Sequence, residues 1–304
     1  MNRPAPASAD LADLAELVRL PAVVSVPGDA WSGATLAGWD RGRAMPIASA
    51  LLYLGGMALN DWADRDLDAV ERPERPIPSG RVAPDTALSI AAGLLAGGVA
   101  VAGMVGRGRA LAVALPLAGA VVAYDLVAKD TPAGPVLMAA CRGLDVALGA
   151  SGGDRRAALP AVAAAATHAF GLTQLSRHEV HGGAGPSARL ATGLALAAAS
   201  LVQVHPWRAG SDGPAWHTVA TRVAAAVGAA EYLRRVLGGY TSAVRSPDDP
   251  EVVQAAVGGG VMANSALQTG LLAGAGAWIP ATATALAGRA AGLLRRLARS
   301  GAVT

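Results

Sequence analysis

Residues 60–81 lie between two apolar segments and read Asn60-Asp61-Trp62-Ala63-Asp64-Arg65-Asp66-Leu67-Asp68-Ala69-Val70-Glu71-Arg72-Pro73-Glu74-Arg75-Pro76-Ile77-Pro78-Ser79-Gly80-Arg81. If the preceding helix continues into this stretch, Asn60, Asp64 and Asp68 recur every four residues. Each step of four drifts only about 40° around a helix axis, so one amide and two carboxylates form a single stripe. An acidic stripe at the end of an apolar helix indicates a functional site at a membrane boundary.

The composition of the whole chain favours a membrane protein. Of its 304 residues, 53% are hydrophobic and 15% are charged, and the mean hydropathy is +0.39. About a quarter of a typical soluble domain is charged. The pI of about 9.5 does not indicate nucleic acid, because the arginines lie mostly between apolar runs. Cys141 is the single cysteine, which excludes internal disulfides and multi-cysteine metal sites.

We predict an all-α, polytopic membrane bundle of about nine transmembrane helices. A bilayer core of about 30 Å needs about 20 apolar residues per helix. The candidate spans are residues 21–37, 44–59, 87–105, 110–127, 134–150, 158–175, 188–204, 215–237 and 252–279. The last span has the composition of a kinked or re-entrant segment.

The two ends of the chain are predicted to lie outside the transmembrane domain, residues 21–282. Residues 1–20 have no apolar core of signal-peptide type and read as a tail with a short amphipathic helix, so we expect no cleavage. Residues 283–304 read as an amphipathic interfacial helix and tail, because arginines and leucines recur along them.

Arginine and lysine are more frequent in the loops that share a side with the N-terminus than in the opposite loops. This bias favours the cytoplasmic side for the loop that contains the acidic stripe. We therefore expect a multi-pass protein of the cell membrane (a bacterial inner or plasma membrane) with its polar loops in the cytoplasm.

The acidic stripe is a candidate magnesium site. Asp64, Asp66 and Asp68 repel one another, and their charge is costly close to hydrocarbon. A divalent cation would remove that cost, and Mg²⁺ prefers oxygen ligands, keeps few protein ligands and bridges to substrate phosphates. The spacing alone favours a metal site and an acidic, solvated helix end equally.

Three arginines favour the interpretation of the stripe as a magnesium site. Arg72, Arg75 and Arg81 follow the stripe along a proline-stiffened loop. Guanidinium groups match phosphate oxygens in bidentate fashion. The alternative is that these arginines pair with neighbouring acids or with anionic lipid.

The stripe and the arginine loop resemble the first conserved motif of the UbiA-superfamily membrane prenyltransferases. The family carries a Tyr-x3-Lys pair at the end of its fourth helix, which corresponds to the fourth predicted span. Tyr124 and Lys129 are the counterpart of this pair, and their separation is one residue longer. The further matches are Leu17-Val18-Arg19-Leu20-Pro21 at the start of helix 1, Asp130-Thr131-Pro132 after helix 4, and Gly134-Pro135 with Cys141-Arg142-Gly143-Leu144-Asp145 in helix 5.

The sequence departs from the family at the second Asp-rich motif, after helix 6. Leu175-Ser176-Arg177-His178-Glu179-Val180-His181-Gly182-Gly183 stands there, with Glu179 as its only carboxylate. A Ser-Arg-His-Glu segment resembles the EboC-like branch of the family. His178 and His181 have a spacing that some metal sites use, but interfacial histidines are more often plain hydrogen-bonding residues.

Ionisable residues also lie within the predicted spans. Arg142 and Asp145 are three residues apart in the fifth predicted span. A functional role for the two residues and a structural role in which their charges neutralise each other are equally open. Interhelical hydrogen bonds are the expected role of His168 and of the Asn264/Gln268 pair.

The resemblance implies transfer of a polyprenyl group from a prenyl diphosphate to a lipophilic or small-molecule acceptor, with Mg²⁺ as cofactor, surrounding membrane lipid and no nucleic acid. It implies that Asn60, Asp64 and Asp68 hold the metal, with Glu179 as a further ligand. Tyr124 would stabilise the allylic cation through its ring face. The implied diphosphate-binding residues are Arg72, Arg75, Arg81, Lys129, Arg142, Arg177 and His178.

Three other function classes compete with this interpretation. A CDP-alcohol phosphotransferase requires Asp-Gly-x2-Ala-Arg, which does not occur here. A transporter would place its ionisable residues near mid-membrane, whereas the main acidic cluster lies at a helix end. A non-catalytic family member is the strongest competitor, because the second motif is eroded.

Overall fold

The computed structural model describes residues 10–208 and 214–299, and helices dominate those ranges. The helices are α1 (Leu11–Leu17), α2 (Pro27–Leu36), α3 (Met45–Ala63), α4 (Arg65–Glu71), α5 (Pro84–Ala123), α6 (Gly134–Gly149), α7 (Arg155–Ser176), α8 (Gly185–Val202), α9 (Val204–Arg208), α10 (Ala215–Arg245), α11 (Pro250–Gly274) and α12 (Trp278–Arg299). Two 3₁₀ turns, Leu20–Ser25 and Asp40–Ala44, and a π-helical turn, Tyr124–Ala128, complete the order. The all-α architecture predicted from the sequence is confirmed.

Each predicted span falls on helical structure, but the ninth ends early. The third and fourth spans are the two arms of α5, whose backbone leaves the helical region at Arg107 (φ 53°). Helix α11 stops at Gly274, and Gly276 (φ 74°) turns the chain into α12. The ninth span therefore ends five residues before the predicted boundary at residue 279, because a glycine in the left-handed conformation ends a helix. Its kinked or re-entrant character stays a prediction.

Two helical stretches of the described ranges are long and apolar enough to cross a membrane by length and composition alone. They are Pro84–Ala128 and Gly185–Pro206. Helices α2 and α6 have only 10 and 16 residues, less than the about 20 that a straight span needs.

Glycine allows α2 and α6 to approach closely. A side chain at Gly33 of α2 would collide with the Val146 carbonyl of α6, and one at Gly149 would collide with the backbone of Ala30. Small residues at helix interfaces let backbones approach in this way. This close approach matters for the site because it packs one face of α2 directly against α6.

Helix α12 runs antiparallel to α11. Gly288 faces Ser265, and Gly292, farther along α12, faces Met262, earlier in α11. Leu286 of α12 is exposed. An interfacial position for this helix stays a prediction, as do the domain boundaries at 1–20, 21–282 and 283–304; residues 1–9 and 300–304 lie outside the described residues.

Candidate active site

The acidic stripe forms as the sequence predicts. Helix α3 passes into α4 with one irregular residue, Asp64 (φ −89°, ψ 2°). The amide of Asp64 donates to the Asn60 carbonyl at 2.9 Å, and the amide of Asp68 donates to the Asp64 carbonyl at 2.8 Å. The Asn60 side-chain amide also donates to Asp64 Oδ2 at 3.2 Å. The three side chains therefore belong to one nearly continuous helical face.

Each carboxylate of the stripe meets a cation. Lys129 forms an ion pair with Asp64. Arg75 Nη1 lies 2.7 Å from Asp68 Oδ2, and Arg72 Nη1 lies 3.8 Å from Asp68 Oδ1. Asp68 is only 2% exposed, so its pair with Arg75 is shielded from water. The structure thus brings three of the predicted diphosphate-binding residues to the predicted metal ligands.

Sequence reasoning missed three members of this network, Arg19, Asp61 and Asp125. Arg19 Nη2 donates to Asp61 Oδ1 at 2.8 Å and to Asn60 Oδ1 at 3.2 Å. Burial raises the pKa of Asp61, an effect that the positive charges of Arg19 and Arg75 oppose. Arg19 has a left-handed backbone (φ 49°, ψ 48°), a conformation that non-glycine residues adopt rarely and often at functional sites. The motif match at residues 17–21 was the available signal.

The extra residue between Tyr124 and Lys129 is absorbed by a π-helical turn. The Lys129 amide donates to the Tyr124 carbonyl, five residues earlier, at 2.9 Å. Such a bulge widens one turn of a helix and is frequent at functional sites. Lys129 therefore reaches Asp64 in spite of the altered spacing. Asp125, in the same turn, accepts from the Asn60 side chain at 3.4 Å.

A cavity of about 290 Å³ opens below this network, between α3, α5, α6 and the segment that precedes α2. Arg19, Asn60, Tyr124 and Asp125 line its end nearest the network. Its walls are mainly apolar, and they include Leu52, Met57, Leu117, Val121 and Met138. Ser49, Arg142 and Asp145 line its deep end. The charged network therefore lies at one end of a largely apolar cavity.

Arg142 does not form its ion pair with Asp145. It pairs with Asp29 of α2, and Gln268 donates to Asp29 Oδ1 at 2.8 Å. Asp145 instead accepts from Ser49 Oγ at 2.8 Å. The two side chains are directed to different neighbouring helices, so the mutual neutralisation considered from the sequence takes place without a direct ion pair.

Asp29 could have been found from the sequence, because it is a lone carboxylate inside the first predicted span. The expected interhelical hydrogen bonds are present elsewhere. His168 Nδ1 lies 2.9 Å from Tyr232 Oη, and Asn264 Nδ2 lies 3.4 Å from the Ser25 carbonyl.

The segment 175–183 satisfies most of its polar groups locally. His178 Nδ1 lies 3.1 Å from the Gly182 carbonyl, and its Nε2 lies 3.0 Å from Ser187 Oγ. Arg177 Nη1 donates to the Thr131 carbonyl at 2.6 Å. This bond ties the end of α7 to the segment that follows Lys129.

Glu179 has a different environment. Its carboxylate is half-buried, and none of the ion pairs among the described residues includes it. Burial raises its pKa. The contact to Gln254 involves the backbone carbonyl of Glu179, at 3.1 Å. The role of Glu179 as a metal ligand stays a prediction.

Arg81 lies apart from the network. Its Nη1 is 2.5 Å from Asp13 Oδ1 and 2.8 Å from Glu16 Oε2, both on α1, and its Nη2 donates to the Glu74 carbonyl at 2.6 Å. These bonds raise the pKa of Arg81. They fasten α1 to the arginine loop, so this placement supports a structural role more directly than contact with a diphosphate.

The oxygen donors of the stripe suit Mg²⁺ in type. In the described ranges no group of three or more His, Cys, Asp or Glu side chains is arranged to hold a metal ion. Mg²⁺ needs no such group when substrate phosphates complete its coordination. Asn60, Asp64 and Asp68 are the residues that would hold it.

Comparisons with known proteins agree on one family. Residues 23–182, more than half of the chain, match the UbiA prenyltransferase family. The digeranylgeranylglyceryl phosphate synthase of Methanopyrus kandleri is 40% identical over 139 residues, which are 45% of this chain and 49% of the relative. The synthase of the same name from Natronomonas pharaonis is 38% identical over 165 residues, or 51% and 59% of the two chains. The matches thus span about half the length of these relatives.

Solved structures extend the likeness beyond the family match. One that concerns digeranylgeranylglyceryl phosphate synthase in membranes has a TM-score of 0.64 at 17% identity and covers 87% of this chain and 98% of its own. A UbiA homologue from Archaeoglobus fulgidus bound to DMAPP and Mg²⁺ has a TM-score of 0.60 at 14% identity and covers 83% and 99%. The fold predicted from the sequence, a UbiA-like polytopic membrane bundle, is confirmed.

Proposed function

The chain belongs to the UbiA prenyltransferase family, and we propose on that premise that it transfers a prenyl group from a prenyl diphosphate to a lipophilic or small-molecule acceptor in an Mg²⁺-dependent reaction. The network at the cavity mouth supports this activity, because it combines oxygen donors for a metal with cations for a diphosphate.

The observation that carries the proposal is the pairing of carboxylates with cations in that network. Its four carboxylates belong to Asp61, Asp64, Asp68 and Asp125, and its four cations to Arg19, Arg72, Arg75 and Lys129. Because Lys129 and Arg75 already hold Asp64 and Asp68, a diphosphate binds by exchange of partners. Arg75 and Lys129 turn from carboxylates to phosphate oxygens, and the carboxylates they release are free to hold Mg²⁺.

Each part of the site then has a task in breaking the bond between the prenyl carbon and the diphosphate. Mg²⁺ held by Asn60, Asp64 and Asp68 would neutralise charge on the leaving diphosphate. Arg72, Arg75 and Lys129 stabilise the charge that develops there. The apolar cavity keeps water from the allylic cation, and the ring of Tyr124 lies at its mouth, where a face-on contact stabilises a cation.

The donor and acceptor are proposed from the names of relatives. The matched proteins are digeranylgeranylglyceryl phosphate synthases, so a geranylgeranyl donor and an acceptor with a glyceryl phosphate group are the first pair to assay. The EboC-like placement stays a second proposal, since it rests on residues 176–179 alone and the relatives named above carry another name. The cytoplasmic orientation of the mouth is likewise proposed from the arginine bias.

The test is a transferase assay on the purified protein in nanodiscs, with radiolabelled geranylgeranyl diphosphate and lipid extract, in Mg²⁺ or in EDTA. Product should form only with Mg²⁺. Asp68→Asn should lower the rate by about 100-fold, since loss of one well-placed electrostatic group costs about that much. Asp66→Asn is the matched control, because Asp66 lies on the same helix with its side chain 91% exposed. Product in EDTA, or equal losses in the two variants, would contradict the proposal.

A non-catalytic family member that binds prenyl diphosphates is the second candidate. The observation that favours it is the segment 175–183, which offers one carboxylate. The side chains of His178 and Arg177 in this segment form hydrogen bonds to backbone carbonyls and to Ser187. The same nanodisc preparation separates the two candidates. Mg²⁺-dependent binding of geranylgeranyl diphosphate, with no product formed from any fraction of the lipid extract, would support the non-catalytic candidate.

A further inference from the structure

The deep end of the cavity is polar, although it lies among transmembrane helices. Ser49 and Asn60 line opposite ends of the cavity on α3, and their eleven-residue separation corresponds to about 16 Å at 1.5 Å per residue. Ser49, Arg142 and Asp145 form the surface at the deep end, which we call the cavity floor. A cavity built only for a hydrocarbon tail would end on apolar side chains.

Asp145 presents an unused hydrogen-bond acceptor on this floor. The residue is 5% exposed, and its Oδ2 accepts from Ser49 Oγ at 2.8 Å. Its Oδ1 is buried without a hydrogen-bond partner in the described part of the chain. Leaving such an acceptor unsatisfied is costly in a low-dielectric interior. The floor therefore lacks a donor.

The neighbouring arginine does not supply that donor. Arg142 is engaged by Asp29, and Asp29 is held in turn by Gln268. The floor and its support thus contain one guanidinium for two carboxylates. A ligand group that donates a hydrogen bond, with or without a positive charge, complements this arrangement, whereas a carboxylate or a phosphate is repelled by it.

We propose that the cavity floor binds a hydrogen-bond-donating group, a hydroxyl or an ammonium, at the far end of the acceptor, while the acceptor's nucleophile faces the mouth. This rests on the proposed function and names the acceptor class for the same site. The volume of 290 Å³ equals that of about ten water molecules at about 30 Å³ each. The enclosed part of the acceptor therefore has roughly ten non-hydrogen atoms.

The alternative is a structural role, in which Asp145 and Ser49 only hold α6 against α3. That role requires no preference among ligands. A binding preference that depends on the Asp145 carboxylate therefore separates the two.

The experiment is photolabelling in nanodiscs of neutral phosphatidylcholine. Four probes share one short alkyl diazirine chain and end in hydroxyl, ammonium, methyl or carboxylate. Labelled peptides are mapped by mass spectrometry, and the readout is labelling of the α3 and α6 peptides relative to the methyl probe. In the wild-type chain the hydroxyl or ammonium probe should exceed the methyl and carboxylate probes by about fivefold, the worth of one net hydrogen bond.

Substitutions at the floor assign this preference. Asp145→Leu should make the four probes equal. Asp145→Asn keeps the size of the side chain and an acceptor oxygen, so it should retain the hydroxyl preference and lose any ammonium preference; it also serves if the leucine variant does not fold. Tyr240→Phe is the control, because the Tyr240 hydroxyl is buried without a hydrogen-bond partner among the described residues and lies outside this cavity.

Two outcomes would overturn the proposal: equal labelling by all probes in the wild-type chain, or a preference that survives Asp145→Leu. None of these measurements needs catalysis. A chain that shows the preference but makes no prenylated product would keep the subsite and refute the proposed function, so the two failures are distinguishable.

Discussion

The loops after α3 and α7 satisfy their charged groups in opposite ways. After α3, Asp64 and Asp68 bind the side chains of Lys129 and Arg75. After α7, His178 bonds within its own loop and to the start of α8, and Arg177 donates to a backbone carbonyl. The carboxylates of the first loop compensate the charges of their cations, whereas the carbonyl that accepts from Arg177 leaves the charge of that side chain uncompensated. The comparison teaches that the paired acids and cations gather at the first loop, which we propose as the diphosphate site.

The largest expected effect falls on the first loop. Asp64→Ala and Asp68→Ala should each abolish Mg²⁺-dependent binding of geranylgeranyl diphosphate, a loss of about 100-fold or more, since each removes a charged ligand and frees a cation. Binding is measured by filtration with radiolabelled ligand on protein that still extracts in detergent. Asp66→Ala is the matched control. Affinity and Mg²⁺ dependence as in the wild type, in either variant, would show that the site lies elsewhere.

The second loop is tested by Glu179→Gln. If Glu179 replaces the missing aspartates as a metal ligand, the transferase rate should fall by about tenfold or more, because the amide removes the charge that holds the cation. Glu251→Gln, an exposed glutamate at the start of α11, is the control. An unchanged rate in Glu179→Gln would sharpen the comparison by leaving the first loop as the sole acidic motif.

A smaller effect is expected from removing the extra residue of the π-helical turn. Deletion of Val127, which is exposed, returns Tyr124 and Lys129 to the family spacing. An ordinary helical turn would still bring Lys129 to Asp64, so the rate should change by no more than about threefold. The deletion is assayed with geranylgeranyl diphosphate beside a Lys129→Met variant. A loss as large as that of Lys129→Met would mean that the bulge itself positions the lysine.

The comparison also requires both loops to lie on one side of the membrane, which no change in activity tests. Single cysteines at Ser79 and His181, both exposed, should be labelled from the cytoplasmic side in a Cys141→Ser background. His181 suits this purpose better than Ser187, whose hydroxyl is buried against His178. Labelling from opposite sides would break the span count between the loops, and labelling of both from outside would reverse only the orientation.

Local properties of the chain were enough to predict the bundle and the acidic stripe. Helical repeat and bilayer thickness act over a few turns, so the four-residue spacing of Asn60, Asp64 and Asp68 predicts their common face wherever the helix lies. The motif matches likewise identified Lys129 and Arg75 as members of the site. These features need no knowledge of how the helices pack.

Only the tertiary structure decided the partners. Arg142 pairs with Asp29 and not with Asp145, which is nearer in the sequence. The glycines between α2 and α6 let these helices approach closely and so bring Asp29 within reach of Arg142. Arg19 joins the network through a left-handed turn that no spacing rule predicts. An ion pair inside a bundle depends on which helices touch and at what height, and that is a property of packing between distant segments, which a linear sequence does not display.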